Sequence, residues 1–356
     1  MKRHVSQTKK QKTGSFFTKN AVDLLSGFEH LIIGKNIIDP FSGGGDLIKW
    51  AINNNALSSE EYDIKPKTPN TIKNNSLITP PDYIGKFLLT NPPYLSRNKS
   101  KKNYEKVFNK WKMDDLYKCH LATLYPTCDE GIIILPSNFL SESRSSAREM
   151  FFQNYTIEKA KYYMYQVFPE ASTGVVVFNF YKNNDTIKKF AIEIHKSETD
   201  IIYTTVTLSP QYKYLYGDEF FSYITDKTPL KITKYDTSSK NKPNTKIVIG
   251  LLTNGKYYLG AHINDKEPLL VPEKTFTTYQ VSIEGVKLSN QQQEQIVIMY
   301  NKKLQEYMEQ YHGLFLANYM GANQKIKSRL YSNLLLSRVT KEVMRVTNPT
   351  LESFFT

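Results

Sequence analysis

The stretch Ile37-Ile38-Asp39-Pro40-Phe41-Ser42-Gly43-Gly44-Gly45-Asp46 decides how this chain folds. An apolar run ends on an acid, a glycine cluster follows, and apolar residues then recur at helical spacing over 46–53. The pattern reads as strand, tight loop and helix. Glycines between a strand and a helix let backbone approach a ligand closely, and the helix offers its N-terminal amides and the positive end of its dipole. Taken alone, the triple glycine is equally compatible with a plain tight turn. Asp39 at the strand tip suits an ammonium group or ribose hydroxyls, and the GxxxxGK[ST] phosphate loop is absent from the chain. Asp63, at the next expected strand end, is an acid placed to hold two ribose hydroxyls.

A second strand end carries its own chemistry. Phe87-Leu88-Leu89-Thr90 runs into Asn91-Pro92-Pro93-Tyr94. The Asn91 side-chain oxygen and the Pro92 carbonyl are acceptors for a planar amino group, and the paired prolines fix φ and remove backbone donors, so the loop is stiff. Accepting both hydrogens of adenine N6 draws that nitrogen toward a tetrahedral shape and frees its lone pair for an electrophile. Tyr94 offers a ring for stacking on a base that has left its duplex. A rival reading takes Asp39 with Asp63-Ile64-Lys65 as the loose pattern of a metal-dependent nuclease, but it leaves Asn91 to Tyr94 without a role.

The rest of the chain supplies context. Its 356 residues suffice for two domains. With 40% hydrophobic residues, 25 Tyr and 19 Phe, it is not a disordered sequence. Lys+Arg 47 against Asp+Glu 34 gives a net charge of +13, which favours a polyanionic partner. Two cysteines, Cys119 and Cys128, fit neither a metal clip nor a disulfide framework, and the six histidines show no metal-ligand spacing. No metal site and no apolar run of about 18 residues is readable, so a soluble, intracellular protein without a membrane segment is expected.

Residues 1–13 form a basic arm. A helix is expected over 15–31, capped by Thr18, and strands over 36–39, near 63, and over 71–73, 86–90, 131–135, 159–165 and 174–181. The continuous apolar runs over 131–135 and 175–180 imply strands buried on both faces, as in a helix-covered, mostly parallel sheet. The pattern changes after Lys182-Asn183-Asn184-Asp185, where a boundary is placed. Beyond it lie short strands (201–208, 246–252, 257–259), a helix over 290–310 capped by Ser289, and another over 328–346.

These motifs resemble the γ-class DNA adenine-N6 methyltransferases of restriction-modification systems, over residues 13–182 and in that family's order. Thr13-Gly14-Ser15-Phe16-Phe17-Thr18 is similar to the segment that closes over the methionine end of S-adenosylmethionine. The resemblance implies a Rossmann-like, mostly parallel α/β domain over 14–184 and a mixed α+β target-recognition domain over 185–356. It implies S-adenosylmethionine bound by Thr18, Asp39, Pro40, Phe41, Gly43, Asp63, Asn75 and Asn91. Catalysis falls to Asn91, Pro92, Pro93 and Tyr94, and Phe168 is similar to an aromatic that packs on the second face of the flipped adenine. Asn75 stands where the family has an Asp. Double-stranded DNA is the implied partner, with a restriction endonuclease acting on the same site without a stable complex. Arg97, Lys99, Lys101, Lys102, Lys106, Lys110 and Lys112 are expected to meet DNA phosphates; so is a second group of Lys325, Lys327, Arg329, Arg338, Lys341 and Arg345. The same tetrapeptide suits an RNA base or a protein glutamine amide, and a DNA-binding subunit without turnover is the non-catalytic alternative.

Overall fold

The computed structural model describes residues 21–100, 104–125, 127–142, 145–168, 174–250, 259–273, 278–312, 325–326 and 329–347. Residues 1–20, Lys101, Lys102 and Lys327 lie outside the described residues, as does the side chain of Lys325, so the expected roles of Thr18 and of these lysines fall there too. The chain divides into two compact units, 1–140 with 145–214 and 141–144 with 215–356.

The first unit begins with α1 (Ala21–Leu25), β1 (Asn36–Asp39) and α2 (Asp46–Asn53), as the opening motif requires. β2 (Ser58–Asp63), β3 (Ile72–Lys73) and β4 (Phe87–Thr90) follow. Next come α3 (Glu105–Trp111), α4 (Leu116–Leu124), β5 (Glu130–Pro136), α5 (Ser146–Asn154), β6 (Tyr155–Tyr163) and β7 (Val175–Lys182). β8 (Lys188–His195) and β9 (Ile201–Leu208) complete a nine-stranded sheet of order β3-β2-β1-β4-β5-β7-β6-β8-β9. The β1-β2, β2-β3, β1-β4, β4-β5 and β6-β8 pairings are parallel, and β7 and β9 run antiparallel to their neighbours. Every residue of β4 is buried, as is β5 from Gly131 on, which matches strands covered on both faces. The fold is a Rossmann-like α/β sheet. From β1 the chain builds outward through β2 and β3, then returns to place β4 on the other side. That reversal makes the carboxyl ends of β1 and β4 the switch point of the strand order, the ligand-binding position of doubly wound sheets.

The break expected at 185 falls inside this sheet. Lys182-Asn183-Asn184-Asp185 is a polar connection between β7 and β8, and the Thr- and Tyr-rich strand β9 is a half-covered edge strand, with Val206 and Leu208 buried and Tyr203, Thr205 and Thr207 exposed. The composition change therefore marks the sheet edge, and the compact unit runs on to Tyr214. There the fully buried Arg148 donates to the carbonyls of Leu140, Lys213 and Tyr214 at 3.3, 2.6 and 3.2 Å, which spreads its charge over backbone acceptors.

The second unit contains α6 (Asp218–Ile224), β10 (Ile232–Lys234), β11 (Ile247–Gly250), β12 (Gly260–Ile263), β13 (Thr278–Ile283), α7 (Asn290–Gln310) and α8 (Tyr331–Thr347). Its strands form an antiparallel sheet of order β10-β13-β11-β12, which gives an α+β unit. Ser289 starts α7 with a reciprocal capping box to Gln292. No helix among the described residues is long and apolar enough to cross a membrane.

Gly131 shows how tightly β5 is set against β4. A Cβ there would stand 2.6 Å from both the Cβ and the carbonyl oxygen of Leu88. Gly131→Ala is expected to cost about 1–3 kcal/mol through overpacking, read as a lower denaturant midpoint; an unchanged midpoint would show that the strands separate freely.

Candidate active site at the ends of strands β1 and β4

Parallel pairing brings the two sequence motifs together. β1 and β4 run in register, Ile37 beside Phe87 and Ile38 beside Leu88, so Asp39 and Asn91 leave the sheet at the same edge. β1 also pairs with β2, Asp39 beside Glu61, which brings Asp63 to that edge. Asp39 is wholly buried; its Oδ1 accepts the Phe41 amide at 3.0 Å and the Thr90 hydroxyl at 2.7 Å. The last residue of β4 is thus bonded to the last residue of β1. Asp39 Oδ2 is buried and accepts no hydrogen bond among the described residues. Burial lifts this carboxyl from 3.8 to about 7 against the relief from Thr90 and Phe41, and the nearby Glu61 and Asp63 push the same way.

The glycine loop is closed by the neighbouring strand. Ser42 donates its amide to the Tyr62 carbonyl at 2.9 Å, and Gly43 donates to Asp63 Oδ2 at 3.0 Å. Gly43 and Gly45 have φ of 56° and 80°, a region that favours glycine, and Gly45 leads directly into α2. Asp63 Oδ1 accepts the Lys65 amide at 2.6 Å. Both oxygens of Asp63 therefore brace its own loops, leaving a lone pair on each for a ligand. Ser42 Oγ is buried and has no hydrogen-bond partner among the described residues. Pro40 is buried between Asp39 and the half-buried Phe41, whose ring packs toward Leu77, Leu95, Val107, Phe108, Leu116 and Cys119.

Asn91 is 7% exposed and Pro92 is buried. The Tyr94 hydroxyl shares its one proton between the Ile134 carbonyl in β5, 2.7 Å away, and Asn91 Oδ1. Helix α4 seats both loops from below. Its cap residue Asp115 accepts the amides of Leu95 at 3.1 Å and Tyr117 at 3.4 Å. Tyr117 meets the Tyr94 ring edge-on with centroids 6.3 Å apart, and three residues on His120 meets Phe41 edge-on at 4.9 Å. One face of one helix thus touches both loops. His120 is wholly buried, and burial lowers it to about 3, so it is neutral. Burial lifts Asp115 to about 6.

The other expected residues fall as follows. Asn75 is half-buried in the loop after β3, where its carbonyl accepts the amides of Ile78 and Thr79, both at 2.8 Å. Phe168 is 3% exposed and lies in a core cluster with Leu24, Phe28, Tyr163 and Val175, so its ring has no face open to a base in this conformation. Arg97 is exposed and tied to Glu105 at 2.5 Å and Asn109 at 2.7 Å. Lys99, Lys106, Lys110 and Lys112 are exposed, and Lys110 also bonds the Ile78 carbonyl at 2.5 Å. In the second unit Arg329 and Arg345 are exposed, and Arg338 pairs with Glu342 at 3.0 Å. Lys341, expected on the DNA-facing surface, is instead buried and paired with Asp226 at 2.7 Å: it falls on the inner face of α8. Thr90, Asp115, Tyr117 and His120 were not anticipated; a Thr closing an apolar strand and an Asp opening a helix were the available signals.

No protein-family model matches the chain, and no curated protein does. Among solved structures, it is similar to a protein assigned as the modification subunit of a type I restriction enzyme from Vibrio vulnificus, at 12% identity and a TM-score of 0.42, over 57% of this chain and 58% of that one. It is similar to a type I restriction-modification methyltransferase subunit from Streptococcus thermophilus, at 15% identity and a TM-score of 0.37, over 56% and 59%. A protein assigned as a class I S-adenosylmethionine-dependent methyltransferase from Listeria monocytogenes aligns at 10% identity and a TM-score of 0.42, over 52% and 67%. The chain thus spans under two thirds of the two restriction-system proteins. Similarity at this level assigns no activity to the chain.

The raised carboxyl of Asp39 makes a prediction about stability. Its folded pKa of about 7 lies above the ordinary 3.8, so the native state binds this proton more tightly and loses stability as pH rises between those values. At about 1.4 kcal/mol per unit, the ionised form costs the fold up to about 4 kcal/mol. Asp39→Asn should therefore melt above wild type at about pH 8, with the difference vanishing toward about pH 4. Equal melting curves across that range would show that Asp39 is well solvated.

Proposed function

We propose that this chain transfers the methyl group of S-adenosylmethionine to N6 of an adenine in duplex DNA, as the modification activity of a restriction-modification system. One observation carries the reading: Asn91-Pro92-Pro93-Tyr94 leaves β4 beside Asp39 at the end of β1, whose Oδ2 accepts no hydrogen bond among the described residues, the two strand ends being joined by the 2.7 Å bond from Thr90 to Oδ1. The donor set fits the cofactor. A buried acceptor oxygen in want of a donor suits an ammonium or hydroxyl group. Asp63 keeps acceptor capacity for ribose hydroxyls, and Phe41 with its apolar neighbours offers a dry wall. When bound, S-adenosylmethionine supplies an electrophilic methyl group on a sulfonium sulfur.

The chain's own residues do the rest. Asn91 Oδ1 and the Pro92 carbonyl accept the two N6 hydrogens and turn the nitrogen lone pair toward the methyl carbon, in a loop whose prolines keep the acceptors from relaxing. Tyr94 borders the base. A cationic group on Asp39 favours its ionised form, so binding releases a proton near neutral pH and strengthens as pH rises through about 7. The exposed Lys99, Lys106 and Lys112, close in sequence to the catalytic loop, suit DNA phosphates and imply affinity that falls steeply with salt.

Asn91→Ala should lower methyl transfer about a hundredfold or more, while calorimetry shows a much smaller loss of cofactor affinity. Undiminished transfer would remove Asn91 from the chemistry. Loss of cofactor binding in Asp39→Ala, with the fold intact by circular dichroism, is expected alongside; retained affinity would move the cofactor elsewhere.

A further inference from the structure

Tyr94 is held by its hydroxyl, not only by its ring. The phenol oxygen faces two acceptors, the Ile134 carbonyl of β5 at 2.7 Å and Asn91 Oδ1 three residues back in the same loop. A phenol has one proton to give, so this hydroxyl brings a strand carbonyl and a side-chain carbonyl to one point. Ile134 lies in the middle of β5, a strand buried from Gly131 on and paired with β4, so one end of the link is fixed in the sheet. Asn91, at the other end, carries an uncharged amide on two rotatable bonds and follows the last residue of β4. The Tyr94 ring packs against the core that contains Phe87, Leu89 and Ile134, and Tyr117 closes one side of it edge-on. Burial keeps the phenol far above its ordinary pKa, so the group is a donor at every working pH.

We propose that Tyr94 is a positioning residue that acts through its hydroxyl: it tethers the Asn91 carboxamide oxygen to the β5 backbone and thereby fixes where the acceptor for the target amino group stands. The inference rests on reading Asn91 as that acceptor. An amide oxygen has two lone pairs, so Asn91 Oδ1 can accept from Tyr94 and from the substrate amino group together, and the tether need not break for the substrate to bind. Stacking alone would require only an aromatic face. The hydroxyl contributes orientation, and a displacement of the reacting groups by about 1 Å can cost about a hundredfold in rate.

Tyr94→Phe separates the two roles because it keeps the ring and removes the tether. With duplex DNA as substrate, kcat should fall about tenfold to a hundredfold, while KM for DNA and Kd for S-adenosylmethionine stay within about twofold. Loss carried by KM, or no loss, would overturn the proposal. The second readout needs no turnover: with 15N-asparagine labelling, the Asn91 side-chain amide resonances, assigned by their absence in Asn91→Ala, should shift or broaden in Tyr94→Phe. Unchanged resonances would overturn the tether even if the wild-type chain methylated nothing. Full activity of Asn91→Ala would sink the acceptor role assigned to Asn91 and leave the tether to be judged by these resonances.

Discussion

A carboxylate taken out of water organises the carboxyl edge of this sheet. Asp39 has no exposed surface and only one of its two oxygens is hydrogen-bonded within the described residues. Such a group is costly to bury, and the fold limits the cost with the Thr90 hydroxyl and the Phe41 amide. Neither bond can form unless β1 and β4 end side by side and the chain turns sharply after Asp39. The proline and glycines that follow make that turn, and Asp63 holds it from the next strand through the Gly43 amide. The uncompensated oxygen is the natural place for a donor or cation to bind, since a ligand there relieves a cost the apo protein carries.

The two loops are also mechanically linked. Helix α4 presents Tyr117 to the Tyr94 ring and His120 to the Phe41 ring, while Asp115 at its cap ties down the chain leaving the Asn91 loop. His120 stays neutral, so the contact under the glycine loop is one of packing and not of charge. A helix bearing on both loops holds the acceptor of one group and the acceptor of the other at a fixed spacing, the geometric requirement of any transfer between two bound molecules.

Much of this was legible in the sequence. Continuous apolar runs marked β1, β4, β5 and β7 because strands buried on both faces have no polar alternation, and Ser289 marked its helix because a cap has a local signature. Asp39, Asp63 and Asn91 were legible because parallel strands deliver their C-terminal residues to one edge. What escaped depends on contacts remote in sequence. Polar residues at 182–185 look like a domain linker, yet β8 finds β6 across the sheet. Lys341 looks like surface charge until helix phase turns it toward Asp226. Phe168 suits a base in sequence and lies in the core in space. His120 carried no signal, since a lone His acquires its role only from what folds against it.

The most direct measurement is transfer of labelled methyl from S-adenosylmethionine to unmethylated duplex DNAs of varied sequence, followed by digestion to nucleosides. Label recovered as N6-methyladenine, confined to one sequence context, is the result this account predicts. Label on cytosine, on RNA or on protein glutamine would contradict the substrate assignment, and no transfer to any of them would contradict methyl transfer itself.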